Sequence, residues 1–436
     1  MSLPVDDMFS GRAQGATRAA DLPRAAKVMW HFVISADKLR AELDLFERII
    51  IDCFPRLNEP TVVLSASCDG MHDGLRLWSV TDSLSLTSAV QANVRTGSLV
   101  RVAIPLKRFV SVTNSLEGPD IEIMLSESVV TISDGHATFE LAGCPPPARS
   151  SGSKGKTHSP LLGAGPSGPR PPNGEAIMVP ARILADLIRC ALPAVEGDSK
   201  QSASKAINVQ AAKGRLRVAG TNGHRLHVAD ANLSVSVSHE MNILIPVSSA
   251  RSVMRLCAET GGLAHVSRSE ECVFLQAGQR TLAATKSPED FPDYESAIPA
   301  DVDSPILMAG TRHFACLLNQ AIVTAPEDLC TIAIRPVTEG VSVSARTDGI
   351  GTYSRTYEVP GVAAGPGVFL NGRYLLDALA ALGVTSDVYL HLGEQSTPVK
   401  MVAPTSFEDY AVCFRAIIMP LQETPEEMAV ATQYIA

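Results

Sequence analysis

No stretch of the 436-residue sequence approaches the roughly 20 consecutive apolar residues that a membrane-spanning helix requires. Residues 1–27 are polar and rich in Ala and Gly; they lack the apolar core of a secretory signal and read as a disordered extension. The nine cysteines include no C-x-x-C pair. Their odd number, scattered through apolar segments, suits reduced thiols in a cytoplasmic protein better than a disulfide framework. The ten histidines do not gather with cysteines or carboxylates at metal-ligand spacing, so no metal is expected. Paired carboxylates, a P-loop and a Gly-rich phosphate cradle are missing too. Nothing here points to an enzyme or asks for a cofactor. A positive excess is also lacking, since the net charge is −9. That bears little on nucleic acid, because the location of basic groups matters more than their sum.

What is present is a globular composition, 45% hydrophobic and 19% charged, long enough for several domains. Residues 145–174 read PPPARSSGSKGKTHSPLLGAGPSGPRPPNG, in which only two adjacent leucines could join a core. This Pro/Gly/Ser-rich stretch, with Arg149, Lys154, Lys156, Arg170 and no acid, is an interdomain linker. On either side the chain repeats itself. Three strand patterns reach a Thr followed by an acid or amide, at Thr81, Thr221 and Thr347. A helical pattern opens 24, 25 and 24 residues later, at Pro105, Pro246 and Asn371. Another helical pattern precedes each Thr: ADKLRAELDLFERI, PARILADLIRCAL and TRHFACLLNQAIV.

Periodicity supports the helices. Leu39, Leu43, Phe46 and Ile50 recur at helical spacing, as do Phe314, Leu317, Leu318, Ala321 and Ile322. Between them the period drops to two, as in DIEIML at Ile121, Ile123 and Leu125 and in VSVSA at Val341, Val343 and Ala345. Each unit is two helices plus antiparallel strands, so the fold class is α+β with a triplicated domain. Boundaries are expected at 28–144, 177–300 and 301–422, with a linker at 145–176 and a tail at 423–436.

Four segments then carry a family resemblance. TNGHRL (Thr221–Leu226) is similar to a T-D-G-H-R-L signature, FPDYESAIP (Phe291–Pro299) to F-P-D-Y…P, NGRYLLDALAAL to N-x-x-Y-L-L-D-x-L, and AIIMPLQ (Ala416–Gln422) to V-V-M-P-M-R-L. In this order, on a threefold repeat, they resemble the bacterial DNA polymerase III beta subunit (beta sliding clamp) family across about residues 28–422. The resemblance implies a head-to-tail homodimeric ring of six similar domains. Helices would line a hole for double-stranded DNA and sheets would form the outer surface. It also implies a non-catalytic processivity factor serving a DNA polymerase catalytic subunit, a clamp loader and other clamp-motif proteins. A diverged clamp paralogue serving repair or an accessory polymerase, and an unrelated enzyme, are the alternative readings.

Site residues follow from the same resemblance. A peptide groove between the second and third units would use Thr221, Gly223, His224, Arg225, Leu226, Pro292, Ile417, Met419, Pro420 and Leu421, completed by Ser396 and Pro398. Aliphatic side chains with a Met suit an adaptable apolar cleft, and Thr, His and Arg would orient a ligand at its rim. His224 alone, without nucleophile or metal, reads as a packing or hydrogen-bonding residue, and Asp348 and Asp377 read as structural. Ser296 and Gln422 depart from basic residues of the family, which touches partner specificity. HATFELAG matches an edge strand, so Phe139 and Leu141 either meet the partner subunit or pack in their own core. The six expected helices (36–48, 105–116, 180–195, 246–258, 308–325, 371–383) carry −1, +2, +1, +2, +1 and 0, a total of +5 that leaves −14 elsewhere. A basic lining in an acidic body attracts phosphate without reading bases. Lys107, Arg108, Arg189, Arg251, Arg255 and Arg312 are the DNA candidates, with Arg56 from a family loop position; the plainer reading is that such residues simply face water. Tyr434 and Ile435 in the tail could fold back on the groove, against plain disorder.

Overall fold

The computed structural model describes residues 30–51, 59–68, 73–97, 100–147, 161, 170–172, 176–195, 205–233, 240–287, 290–303, 305–382, 387–393, 396–407 and 410–421. Arg56, Gln422, the 1–27 extension, the 423–436 tail and most of the linker lie outside them.

The first unit runs β1 (Trp30–Ser35), α1 (Ala36–Phe46), β2 (Thr61–Cys68), β3 (Asp73–Val80), β4 (Leu84–Gln91), β5 (Asn93–Gly97), β6 (Arg101–Pro105), α2 (Leu106–Ser115), β7 (Asp120–Leu125), β8 (Val129–Ser133) and β9 (Thr138–Ala142). A π-helical turn, Glu47–Ile51, prolongs α1. The second unit repeats the order without a β5 counterpart: β10 (Ala176–Pro180), α3 (Ala181–Val195), β11 (Ala206–Ala212), β12 (Arg215–Thr221), β13 (Arg225–Asn232), β14 (Met241–Pro246), α4 (Val247–Ala258), β15 (Leu263–Arg268), β16 (Cys272–Ala277) and β17 (Arg280–Thr285). The third does so again: β18 (Ile306–Met308), α5 (Thr311–Thr324), β19 (Thr331–Val337), β20 (Gly340–Thr347), β21 (Gly351–Glu358), β22 (Val368–Asn371), α6 (Gly372–Leu382), β23 (Val388–His391), β24 (Val399–Phe407) and β25 (Tyr410–Ile418).

All six helices fall inside the spans that periodicity predicts. Pro105 and Pro246 stand at the N-caps of α2 and α4 in extended conformation, where the fixed φ of proline and its missing N–H do no harm. The repeated Thr marks the hairpin turn that follows the third strand of each unit. In the first two units its hydroxyl closes that turn on the backbone, Thr81 with Leu84 and Thr221 with Arg225. In the third, Thr347 Oγ1 donates to the Thr324 carbonyl (2.7 Å) and ties the turn to the end of α5 instead.

Sheets do not respect unit boundaries. One eight-stranded sheet has the order β10-β15-β16-β17-β4-β3-β2-β6, and a second the order β14-β11-β12-β13-β25-β24-β23-β18. At the first seam β17 pairs antiparallel with β4, Thr281 to Ala284 lying against Thr87 to Leu84. At the second, β13 pairs antiparallel with β25, Arg225 to Ala231 lying against Ile418 to Val412. The remaining sheets, β5-β1-β7-β8-β9 and β21-β20-β19-β22, stop at β9 and β21. Strand alternation gives each sheet an inner face that packs on the helices, as Val273, Leu275, Leu282 and Ala284 do, and an outer face turned away. Side chains clasp the first seam as well. Arg280 makes a two-pronged pair with Glu42 on α1 (2.8–3.1 Å), and Arg48 reaches Glu259 at 2.6 Å.

Candidate functional site

The second seam gathers most of the groove residues expected from sequence. β12 ends at Thr221, whose hydroxyl donates to the Arg225 carbonyl (2.7 Å) and accepts from the Gly223 N–H (3.1 Å). Asn222 Oδ1 accepts from the N–H groups of His224 (3.0 Å) and Arg225 (3.1 Å). An amide oxygen serves this turn as a carboxylate would, which explains how Asn222 substitutes for Asp. Gly223 takes φ +87°, a left-handed conformation that glycine enters without strain. The turn leaves Gly223 and His224 exposed and buries Arg225 and Leu226, on opposite faces of the sheet, at the start of β13.

β25 supplies the other side. Leu226 lies opposite Ile417, and the Met419 N–H donates to the His224 carbonyl (2.9 Å). Leu226 and Ile417 join Ala219, Val228 and Tyr294 in an outer-face apolar cluster, with Phe291 and Ile298 packed against it. This cluster forms a closed floor, since Leu226 is 5% and Ile417 2% exposed, whereas Met419 at the lip is 43% exposed. Pro292 and Ser396 are exposed, and Pro398, Pro420 and Leu421 half-buried. Pro398 directly precedes Val399, which pairs with Ile418, and the Leu421 N–H donates to the Phe369 carbonyl (2.8 Å), carrying the chain toward β22. Ser296 is exposed on the 3-10 turn Glu295–Ala297, its hydroxyl 3.4 Å from the Asp293 carbonyl.

Arg225 does not sit at the rim where the resemblance puts it. Its side chain is 2% exposed, pairs with Asp377 of α6 at 2.5 Å, and stacks over the Tyr374 ring at 4.4 Å. A guanidinium buried between units is a structural clasp, and it gives Asp377 its structural role. Asp348 likewise pairs locally, with Arg346 at 2.9 Å. Farther along the same outer face, buried Asp230 on β13 gathers Arg215 (2.9 Å), Arg217 (2.5 Å) and Arg415 of β25, so one carboxylate holds cations from both sides of the seam. Lys400, 3% exposed, reaches the Pro299 carbonyl (2.7 Å) and Asp301 (2.5 Å). The hydrogen bond and charge of Lys400 hold the Asp301 carboxyl below its ordinary pKa. His227 is fully buried beneath the sheet; burial pushes its pKa down to about 3.

The helices present their exposed side away from the sheets. Lys107, Arg108, Arg251 and Arg312 are exposed there. Arg189 and Arg255 are half-buried and reach into neighbouring units, Arg189 to the Ala381 carbonyl (2.8 Å) and Arg255 to the Arg48 carbonyl. Lys38, Arg182 and Arg373 are exposed on the same helices and were not singled out from sequence. Their helical phase, opposite the apolar stripe, is the signal that could have found them. At the chain's free edges, Phe139 and Leu141 on β9 are half-buried against the core of their own unit. Exposed Val323 (77%), Leu329 (55%) and Ile350 (61%) lie at the end of α5, in the loop after it and in the β20–β21 turn. Among the described residues, no three His, Cys, Asp or Glu side chains converge in a way that could hold a metal.

Comparison with known proteins gives one answer. The family model for the DNA polymerase III beta subunit, central domain, matches residues 177–293. The beta sliding clamp of Synechocystis sp. is 22% identical, over 78% of this chain and 86% of its own length. That of Synechococcus elongatus is 21% identical over 89% and 98%. In fold, a Bacillus subtilis DNA polymerase sliding clamp superposes with a TM-score of 0.73 at 18% identity, covering 91% of this chain and all of that one. A Pseudomonas aeruginosa sliding clamp gives 0.74 at 16% identity, covering 90% of this chain and all of that one. The chain is thus similar in sequence to beta sliding clamps along most of its length, shares the fold of solved sliding clamps, and over its second unit matches the DNA polymerase III beta subunit central domain.

Proposed function

We propose that this chain is a DNA sliding clamp: a non-catalytic subunit that closes head to tail with a second copy, encircles duplex DNA without reading its sequence, and tethers a DNA polymerase. One observation carries the reading. Each internal seam joins the outermost strand of one unit's four-strand hairpin sheet (β4, β13) to the last strand of the next unit (β17, β25). By the same rule β21 is the donor edge of the third unit and β9 the acceptor edge of the first, and both lie unpaired at the ends of their sheets. Such edges invite pairing with another chain. A heterologous contact repeated with closing rotation gives a ring. Phe139 and Leu141 on β9 and the exposed Val323, Leu329 and Ile350 beside β21 then supply apolar contact at the third seam.

The helices' exposed cations, Lys107, Arg108, Arg251 and Arg312, face the hole and meet phosphates, with Arg189 and Arg255 contributing beside their clasp roles. Phosphate contacts without base contacts let a protein slide. Polymerase, clamp loader and other clamp-motif proteins dock at the second seam, where Met419, Pro420, Leu421, His224, Pro292, Ser396 and Pro398 surround the apolar floor. The chain works in the cytoplasm, consistent with the free thiols of its described cysteines.

Native mass spectrometry reading twice the 46.2 kDa chain mass, with retention on circular but not linear DNA, is the expected result. Leu141→Asp with Ile350→Asp is expected to give a monomer that loses retention. A wild-type protein that stays monomeric and never holds circular DNA would overturn the reading. Met419→Asp, at an exposed position, is expected to lose a polymerase partner in pull-down while keeping the ring.

A further inference from the structure

The outer face of the first seam is built like that of the second, with smaller residues. Where Leu226 lies opposite Ile417, the equivalent cross-seam pair is Ser85 opposite Ala283. Trp78 occupies the outer face of β3 beside it and donates its indole N–H to Ser85 Oγ at 2.8 Å. Phe274 and Cys272 continue the same face on β16, because they alternate with Val273 and Leu275, which point into the helix-side core. Ser and Ala in place of Leu and Ile put several fewer methyl groups on this seam, so its apolar face needs a side chain from elsewhere to complete it. At the second seam the segment between units covers the floor with Phe291, Tyr294 and Ile298. At the first, among the described linker residues, Leu161 does so: it is 0% exposed and packs with Cys272, Phe274 and Ala283, with Val80 alongside. An otherwise Pro/Gly/Ser-rich linker would not bury a leucine completely without an apolar site to receive it.

We infer that the outer face of the first seam is a second apolar groove, equivalent to the one at the second seam, and that this chain fills it with its own Leu161. Leu161 is then an intramolecular ligand of that face. Val80 of the first unit packs against this cluster while Cys272, Phe274 and Ala283 come from the second, so the cluster that receives the leucine spans the seam. Burial pushes the Cys272 thiol up to about 11, with Glu271 adding to the shift, as expected of a sulfur covered by a side chain. The inference does not depend on what binds at the second seam.

Cys272 reports on the cover. The full chain is alkylated with iodoacetamide under native conditions for timed intervals, and each cysteine is read by peptide mass spectrometry. Exposed Cys316 is the fast standard, and buried Cys190 and Cys257 are the slow ones. Cys272 is expected to label at least tenfold more slowly than Cys316 in the unaltered protein. In Leu161→Ser it is expected to speed up by an order of magnitude while Cys190 and Cys257 stay slow. A synthetic peptide of residues 156–167 added to that variant is expected to slow Cys272 again. If Cys190 and Cys257 also become fast in Leu161→Ser, the same comparison is made with Leu161→Ala. Rapid labelling of Cys272 in the unaltered protein would overturn the inference with no variant needed. Labelling that no Leu161 substitution changes, or that the peptide never slows, would overturn it as well.

Discussion

Acid is expected to loosen the second seam through one buried imidazole. His227 lies between α3 and β25, where its Nδ1–H donates to the Cys190 carbonyl (2.9 Å) and its ring meets Phe414 edge-on at 5.2 Å. Burial, aided by the nearby Arg225 charge and opposed by the hydrogen bond, holds its pKa at about 3. An unfolded chain would titrate the same side chain near 6.5. Because the folded value is depressed, the unfolded state takes up the proton first. The stabilisation is complete above the unfolded pKa and is lost as pH falls toward the folded one. Between pH 7.5 and 5.5 that loss is about 1.4 kcal/mol, and by pH 4.5 about 2.7 kcal/mol. His227→Gln removes the titration, and other titrating groups cancel when the two proteins are compared. Urea unfolding followed by far-UV circular dichroism at pH 7.5, 6.5 and 5.5 should therefore find the wild-type advantage shrinking by about 1.4 kcal/mol across the range. A difference that stays constant with pH would refute the account of a neutral buried histidine.

Asp377→Asn leaves the Arg225 guanidinium buried without its carboxylate and is expected to lower stability by about 2 kcal/mol, moderated by the half-exposed position of Asp377; thermal melts check this, and an unchanged midpoint would deny the clasp. Gly220→Ala would bring a β-carbon to 2.5 Å from the Ala191 carbonyl oxygen on α3, so a loss of about 1–3 kcal/mol is expected in the same melts. Lys107→Ala with Arg108→Ala removes two exposed cations from α2, and the slope of log affinity against log salt for DNA is expected to fall by about 2 per chain; an unchanged slope would take α2 away from the phosphates.

Local patterns carried much of this fold. Helical period located all six helices, and the matched spacing from each Thr to the next helical pattern located equivalent hairpin turns, because both are written within a few residues of chain. Merging of β4 with β17 and of β13 with β25 was not legible, since the partners are some two hundred residues apart and alternation says which face is apolar without saying what covers it. The same limit explains Arg225, which the resemblance places at the groove rim with Thr221 and His224. The hairpin twist turns it inward to Asp377, 152 positions away. Leu226 and Ile417 were identified as apolar groove residues, but their near-complete burial depends on Phe291, Tyr294 and Ile298 arriving from the inter-unit segment. Leu161 stood out in its linker as one of two residues able to join a core. Its destination across the first seam had no local signal.

The unequal fastening of the seams has a mechanical side. Within the chain, the joint at β13–β25 spans seven residue pairs, with the Asp230 cluster and Arg225–Asp377 bolted across it. The joint at β4–β17 spans four pairs, reinforced by Glu42–Arg280 and Arg48–Glu259. A joint between copies could use no more of β9 than its five residues, and no peptide bond crosses it. A hoop strained outward parts at its weakest fastening. In the proposed two-copy ring, prying would thus be felt at two opposite points of the circle while the three-unit arcs between them moved as stiff halves.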